Sequence, residues 1–252
     1  HIDHLGLIAA IAHEDTRVYL SARDEELFRG RGASSYRGTV KARLSCEGFP
    51  PDELDELERT DACLIPRVEW PMPERFANLA DGDELRYGGY RMRAVDTPGH
   101  TPGHQCLYLP DQKIMFYGDH LLMNSSPNMA PFPGEADSLG DYLRSLDKVA
   151  QLPVEFACMG HGFVDPRRQA EAMPERIAWL QRHHRQRLDE IAAQLEERPG
   201  MTGTELAKSI TWNIPHAAWE EIPIIQRWIV VCETLAHLDH LMGEGRVRRE
   251  RA

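Results

Sequence analysis

The sequence has no long hydrophobic run. Of its 252 residues, 42% are hydrophobic and 27% are charged. No apolar stretch approaches the roughly 20 residues that a transmembrane helix needs, so we expect neither a membrane-spanning helix nor a membrane partner. The length and composition favour a globular protein with one large domain, or with one domain and a small annex.

Cysteine is scarce, and no C-x-x-C pair is present. The five cysteines are Cys46, Cys63, Cys106, Cys158 and Cys232. Their odd number and wide spacing argue against a disulfide framework and favour reduced thiols. The predicted location is therefore cytoplasmic.

Positive charge is also in short supply. Lysine and arginine together number 29 against 40 aspartates and glutamates, which gives a formal net charge of −11. Because nucleic-acid affinity depends on neutralising phosphates, a nucleic-acid partner is not expected. The basic runs RHHRQR (182–187) and GRVRRERA (245–252) are short, and His183 and His184 are predicted to be surface residues on a charged helix.

Local patterns change along the chain. The first 27 residues predict a turn, a helix, a strand and a second helix, and residues 29–44 predict a loop. A short acidic helix is predicted in GFPPDELDELERT (48–60). Residues 30–75 carry no strong strand pattern, so we expect an insertion there that serves as a lid.

From residue 81 onward the pattern predicts strands followed by helices, which is an α/β arrangement. Two strands flank a Gly88-Gly89 turn, and a helix is predicted over SLGDYLRSLDKVAQL (138–152). The further predicted strands are QCLYL (105–109), KIMFYGD (113–119) and VEFACMG (154–160).

The C-terminal part is predicted to be helical. Pro174 makes the first segment one kinked helix or two, and Thr202 with Glu205 forms a capping box before the next helix. A long amphipathic helix follows from residue 224 and ends at Gly243 and Gly245, and a short strand could follow it. We expect a winged-helix-like domain at 186–252 after a main domain at 1–185, and a homodimer through the C-terminal helices.

Histidine and aspartate recur at four predicted bends, and in three of these they lie beside glycine. These are HIDH (1–4), DTPGHTPGH (96–104), YGDH (117–120) and MGHG (159–162). Imidazole and carboxylate together are ligands for zinc and similar borderline metals, and a carboxylate can bridge two ions. Any one of these histidines alone would be a cap or a core residue, but four such motifs together favour a metal site.

In this order the four motifs resemble the signature of the metallo-β-lactamase superfamily, whose first motif is H-x-H-x-D-H. HIDH matches the last four residues of that motif, so we expect one upstream histidine and the N-terminal strands to be missing. The resemblance covers roughly residues 1–28 and 80–165. It implies an αββα sandwich followed by the helical C-terminal domain.

The resemblance also implies six metal ligands: His1, Asp3, His4, His100, Asp119 and His161. Of these, His1 and His100 would serve one ion, Asp3, His4 and His161 the other, and Asp119 would bridge them. Two zinc ions are expected, with iron or manganese as alternatives. A metal-bound hydroxide would be the nucleophile, with Asp3 and His1 as catalytic residues and Asp3 relaying a proton.

Substrate contacts are predicted from residues near these motifs. They are His104, His120, Asn124, Ser126 and Asn128. His104 is expected to orient a ligand rather than to bind metal. The loop at 124–135 could equally be a network of polar turns. Trp70, Met72, Phe76 and Met129 are either an apolar wall of the substrate site or plain core.

The predicted function is metal-dependent hydrolysis of a small-molecule thioester, ester or lactone. The acidic charge balance and the apolar residues near the site favour this class. The alternatives are an endoribonuclease or a hydrolytic dehalogenase of the same superfamily, or a non-enzymatic body with a dimerisation annex. The fold does not choose among these activities.

Overall fold

The computed structural model describes residues 1–28, 33–59, 76–162, 164–212, 214 and 218–250. The helices are α1 (Ile2–Leu5), α2 (Ile8–Ile11), α3 (Ala22–Phe28), α4 (Ala33–Cys46), α5 (Pro51–Arg59), α6 (Ser138–Ala150), α7 (Pro166–Glu197), α8 (Gly203–Ser209) and α9 (Ile224–Gly243), with a 3₁₀ turn at Trp219–Glu221. The strands are β1 (Tyr19–Leu20), β2 (Ala77–Asn78), β3 (Glu84–Tyr87), β4 (Tyr90–Asp96), β5 (Gln105–Leu109), β6 (Ile114–Gly118) and β7 (Phe156–Met159). Among the described residues, no helix combines the length and apolarity needed to cross a bilayer.

A five-stranded sheet in the order β3-β4-β5-β6-β7 forms the centre of the fold. Strands β3 to β6 pair antiparallel, and β7 pairs parallel to β6. Gly88 and Gly89 both have positive φ, as the tight hairpin between β3 and β4 requires. The predicted strands and this turn are confirmed, and β1 and β2 form a separate two-residue parallel pair.

The crossover from β6 to β7 passes through α6, which buries one face on the sheet. Asp137 caps the helix by accepting a hydrogen bond from the Gly140 amide at 2.7 Å. The predicted apolar face is confirmed, because Leu139, Tyr142 and Leu146 are fully buried. The mixed α/β fold class predicted from the sequence is therefore confirmed.

Helix α7 is continuous over 32 residues and contains Pro174 in its interior. Of the two arrangements that the sequence left open, the structure has the single helix. It passes through residue 185 without a break. One hydrophobic core contains Leu146 of α6, Leu180 and Leu188 of α7 and Leu241 of α9. The division into domains 1–185 and 186–252 stays a prediction.

The C-terminal region is helical. The predicted capping box is confirmed, since Thr202 accepts from the Glu205 amide at 3.2 Å and its own amide donates to the Glu205 carboxylate at 2.8 Å. Helix α9 buries Trp228, Val231 and Leu235 within this chain. Residues 244–250 contain no strand, so the strand considered there does not form. The winged helix and the homodimer stay predictions.

The loop predicted over 29–44 is wrong where the structure describes it, because α4 occupies Ala33–Cys46. Its composition is poor for a helix, but Val40 and Leu44 are buried in a core that also contains α9 residues. Tertiary packing therefore overrides the local composition. Part of the expected lid at 30–75 lies outside the described residues, including Trp70 and Met72 in the segment 60–75. Phe76 and Met129 are core residues.

Candidate metal centre

Three strands that run in the same direction end at one edge of the sheet. Strands β4 and β6 are both antiparallel to β5, and β7 is parallel to β6. The turns that follow these strands carry His100, Asp119 and His161 respectively. The segment 1–4 lies at the same edge, within hydrogen-bond distance of these turns. The topology thus brings all four histidine and aspartate motifs together.

The first group of potential metal ligands is His1, His100 and Asp119. One potential ligand atom of each residue, a ring nitrogen or a carboxylate oxygen, lies within 4.8 Å of those of the other two residues. His100 Nε2 is 3.1 Å from His1 Nδ1 and 3.5 Å from Asp119 Oδ2. The two imidazoles meet edge-on, with ring centroids 4.8 Å apart. This group can hold one cation.

The second group is Asp3, His4, Asp119 and His161, whose donor atoms also lie within 4.8 Å of one another. His4 Nε2 is 3.0 Å from Asp119 Oδ2, and His161 Nε2 is 3.2 Å from Asp119 Oδ1. His161 Nε2 is also 3.1 Å from Asp3 Oδ2. Because Asp119 belongs to both groups, its carboxylate can bridge two ions.

The tautomer of His100 is fixed by its surroundings. Its Nδ1 lies 2.9 Å from the backbone carbonyl oxygen of Asn128. A carbonyl oxygen only accepts, so Nδ1 carries the proton and Nε2 presents a lone pair toward His1 and Asp119. Burial lowers the pKa of His100, which also favours the neutral ligand form.

Asp119 is nearly buried, at 9% exposure, and remains ionised. Burial opposes its ionisation, but the hydrogen bond with His4 and the other imidazoles around it outweigh that effect, so its pKa falls to about 2. The same hydrogen bond raises the pKa of His4. Asp119 Oδ1 accepts no hydrogen bond from the described residues. A cation beside Oδ1 would satisfy this buried oxygen.

His104 and His120 lie behind the two ligand groups and belong to neither. His104 Nδ1 is 2.8 Å from the Thr97 hydroxyl, and its ring centroid is 6.3 Å from that of His100. His120 is fully buried between His104 and Tyr142, and burial lowers its pKa to about 3. This burial favours packing over the substrate contact predicted for His120.

The loop after Asp119 borders the centre. Asn124 is exposed, whereas Ser126 and Asn128 are half-buried. The side-chain oxygen of Asn128 is buried without a partner among the described residues, while its backbone oxygen orients His100. Arg176 of α7 holds this loop by donating to the backbone oxygens of Leu122 at 2.7 Å and Ser125 at 2.6 Å.

Sequence reasoning missed Arg176 and also Asp24 of α3, whose carboxylate accepts hydrogen bonds from Thr101 and Gly103 in the turn that carries His100. Neither residue lies in a glycine-rich motif. Asp24 occurs in a helix with several acidic residues, and Arg176 occurs on a helix with many charged residues. No local signal distinguishes either from a solvated surface residue, because their partners are distant in sequence.

Comparison with known proteins identifies the family of the chain. The sequence profile of the metallo-beta-lactamase superfamily matches residues 1–161. A crystal structure of a metallo-beta-lactamase family protein from Thermus thermophilus is 28% identical, with a TM-score of 0.72, and the match covers 94% of this chain and 69% of that chain.

Two relatives with descriptive names match smaller parts. The beta-lactamase-like protein 2 homolog of Caenorhabditis elegans is 26% identical over 178 residues, which is 69% of this chain and 56% of that protein. A hydroxyacylglutathione hydrolase of Rhizobium etli is 35% identical over 125 residues, 49% of this chain and 41% of that protein. The chain spans about half the length of these relatives. Since the family profile matches well over half of its residues, the chain belongs to the metallo-β-lactamase superfamily.

Proposed function

We propose that the protein is a metal-dependent hydrolase that acts on a small molecule with a thioester, ester or lactone bond. The observation that carries this proposal is the shared carboxylate of Asp119, around which two groups of histidine and aspartate donors converge. Two zinc ions are the proposed cofactors. Iron and manganese accept the same imidazole and carboxylate donors and are the alternatives.

The donor set fits such ions. Each group offers two imidazoles together with carboxylate oxygen, which is the combination that hydrolytic zinc sites use. The ionised Asp119 supplies negative charge at the point shared by both groups, and the bare Nε2 of His100 faces that point. When bound, the cations supply Lewis acidity for the scissile carbonyl and lower the pKa of water.

Asp3 is the residue that we assign to proton transfer. Its carboxylate is about half exposed, and Oδ2 lies 3.1 Å from His161 Nε2 and 3.6 Å from His4 Nε2. It therefore lies on the solvent side of the centre, where it can take a proton from the attacking water and return one to the leaving group. The proposed role of His1 is to hold the first ion opposite the buried His100.

A neutral or monoanionic acyl compound suits the mouth of the site better than a polyanion. Asn124, Ser126 and Asn128 offer neutral donors and acceptors beside the centre, and the chain carries a net charge of −11. The Rhizobium etli relative is named for hydroxyacylglutathione, which is a thioester. A thioester is therefore the first substrate to test.

The test is turnover of a substrate panel by the zinc-loaded chain. The panel contains an S-acylglutathione, a nitrophenyl ester, an acyl lactone, a haloalkane and a labelled RNA. Hydrolysis of one of the first three, lost on chelation and restored by zinc, supports the proposal. Cleavage of RNA or release of halide without acyl hydrolysis would replace it with a nuclease or a dehalogenase.

A matched pair of variants ties turnover to the centre. Asp119→Asn removes the shared charge and should lower turnover by at least about 100-fold. Even substitution of residues that only support metal ligands lowers metal affinity or activity by about 10–100-fold. Asp111→Asn is the control, because Asp111 lies in the exposed β5–β6 turn and pairs with Arg91 at 2.8 Å. Equal turnover in the two variants would count against the assignment of Asp119.

A further inference from the structure

A second cluster of histidines and a carboxylate lies between the middle of α7 and the middle of α9. It consists of His183, His184 and Glu233, whose donor atoms lie within 4.8 Å of one another. The sequence predicted both histidines at the surface, but His184 is fully buried. We propose that this cluster binds one divalent transition-metal ion, such as zinc, that cross-links α7 to α9. The site is separate from the candidate metal centre and has no proposed catalytic role.

Hydrogen bonding leaves a free lone pair on His184. His237 Nδ1 lies 2.7 Å from the backbone oxygen of Glu233, so this nitrogen must donate and His237 Nε2 must accept. Its partner at 3.2 Å is His184 Nδ1, which therefore carries the proton. The remaining nitrogen, His184 Nε2, is an acceptor, and it is buried without a partner among the described residues.

Glu233 contributes a second unsatisfied acceptor. Its side chain is only 6% exposed, and Oε1 has no hydrogen-bond partner among the described residues. A buried acceptor without a partner is costly, and here two such atoms belong to one cluster. A cation between them would satisfy both. The nearby Arg187 is stacked 3.9 Å from the ring centroid of Trp212, with its Nε 3.9 Å from Glu190. Its charge favours the ionised form of Glu233, but its buried Nη1 has no hydrogen-bond partner among the described residues.

The two imidazoles have a ring spacing and inclination similar to those of one histidine pair in the candidate metal centre. The rings of His183 and His184 meet edge-on at 5.1 Å with an interplanar angle of 71°. The corresponding values are 4.8 Å and 71° for His1 with His100. In both cases a carboxylate completes the group. His183 is half-buried, so an ion can reach the cluster from its side.

The competing arrangement has no ion and a protonated Glu233 that donates to His184. Burial raises the pKa of Glu233 to about 7, so the neutral acid is accessible near neutral pH. The two arrangements differ in a measurable way, because only the first binds an additional equivalent of metal. They also differ in the role of His183, which the protonated arrangement does not need.

The experiment counts zinc ions per chain in the full-length protein after equilibrium dialysis. His183→Gln is expected to bind one equivalent less than the wild type, whatever number the candidate metal centre holds. His13→Gln is the control for unspecific binding, because His13 is an exposed histidine that belongs to none of the ligand groups. A zinc content that His183→Gln leaves equal to that of the wild type would overturn the proposal.

A rescue variant separates ligation from structure. His183→Cys supplies a thiolate ligand, so it should restore the lost equivalent and give a thiolate-to-cobalt absorption band after loading with Co²⁺. Glu233→Gln, a near-isosteric change, should lose the equivalent as His183→Gln does. Failure of both predictions in proteins with wild-type circular dichroism would leave the protonated arrangement as the correct one.

Discussion

The hydroxyl of Thr101 donates a 2.6 Å hydrogen bond to one carboxylate oxygen of Asp24, and the other oxygen accepts from the Gly103 amide at 2.8 Å. Asp24 lies in α3, whereas Thr101 directly follows His100. A side chain at Gly103 would collide with Ser21 and Asp24, so helix and turn are in close contact. Helix α3 therefore fixes the turn that presents His100.

The first prediction concerns this contact. Asp24→Ala leaves the Thr101 hydroxyl and the Gly103 amide without their acceptor, which should cost about 1–3 kcal/mol in the free energy of unfolding. It should also weaken zinc binding, because the His100 turn is released. Urea denaturation and competition with a chromogenic chelator measure the two effects. Glu26→Ala, a substitution at an exposed position of the same helix, should alter neither stability nor zinc binding. Equal effects of the two substitutions would refute the positioning role of Asp24.

Most of the candidate centre could be predicted from sequence because its residues lie in short motifs, three of which directly follow strands. HIDH, the His100 turn, YGDH and MGHG each carry a local signal, and the direction of the strands then brings them together. Asp24 and α4 could not be predicted, because their role depends on partners far away in the chain. Likewise, the charged sequence around His184 hides its burial against α9.

The second prediction concerns the docking of α4 on α9. Arg43 donates to both carboxylate oxygens of Asp239, at 2.7 and 2.6 Å, and both side chains are mostly buried. Arg43→Ala leaves Asp239 without this partner and should cost about 1.5–3 kcal/mol. Lys41→Ala removes exposed ion pairs from the same helix and should cost much less, because solvent screens them. A double-mutant cycle with Asp239→Ala gives the coupling energy, and a coupling near zero would contradict the prediction.

The third prediction concerns acid stability. Asp81 accepts hydrogen bonds from Lys148 and from the Asp96 amide, both at 2.8 Å. Burial opposes its ionisation, but these bonds outweigh that effect and lower its pKa. The unfolded chain then binds more protons in acid, so the contribution of Asp81 is full above about pH 4, its ordinary pKa, and is lost as the pH falls through the native value.

The measurement is urea denaturation of the wild type and Asp81→Asn at pH 7 and at successively lower pH. The stability difference between them should shrink as the pH falls below about 4. Asp15→Asn, at an exposed aspartate, is the control and should show no such trend. A difference that stays constant or grows in acid would mean that Asp81 is not stabilised as a carboxylate.

The fourth prediction concerns Gly99, which precedes His100 and packs on α6. Its φ is 138°, and a Cβ there would lie 2.5 Å from the Cβ and 2.7 Å from the Cα of Tyr142. Tyr142 is fully buried and cannot retreat, so Gly99→Ala must shift the turn itself. Gly82 also has a positive φ of 86°, but a Cβ there would meet open space.

Comparing the two substitutions separates backbone strain from collision. Gly82→Ala should cost only the strain of about 1 kcal/mol, whereas Gly99→Ala should cost a further 1–3 kcal/mol or so from overpacking. Because the displaced turn carries His100, zinc affinity should fall for Gly99→Ala and stay unchanged for Gly82→Ala. Urea denaturation and chelator competition test both parts. Equal zinc affinity in the two variants would show that the position of His100 does not depend on the contact between Gly99 and Tyr142.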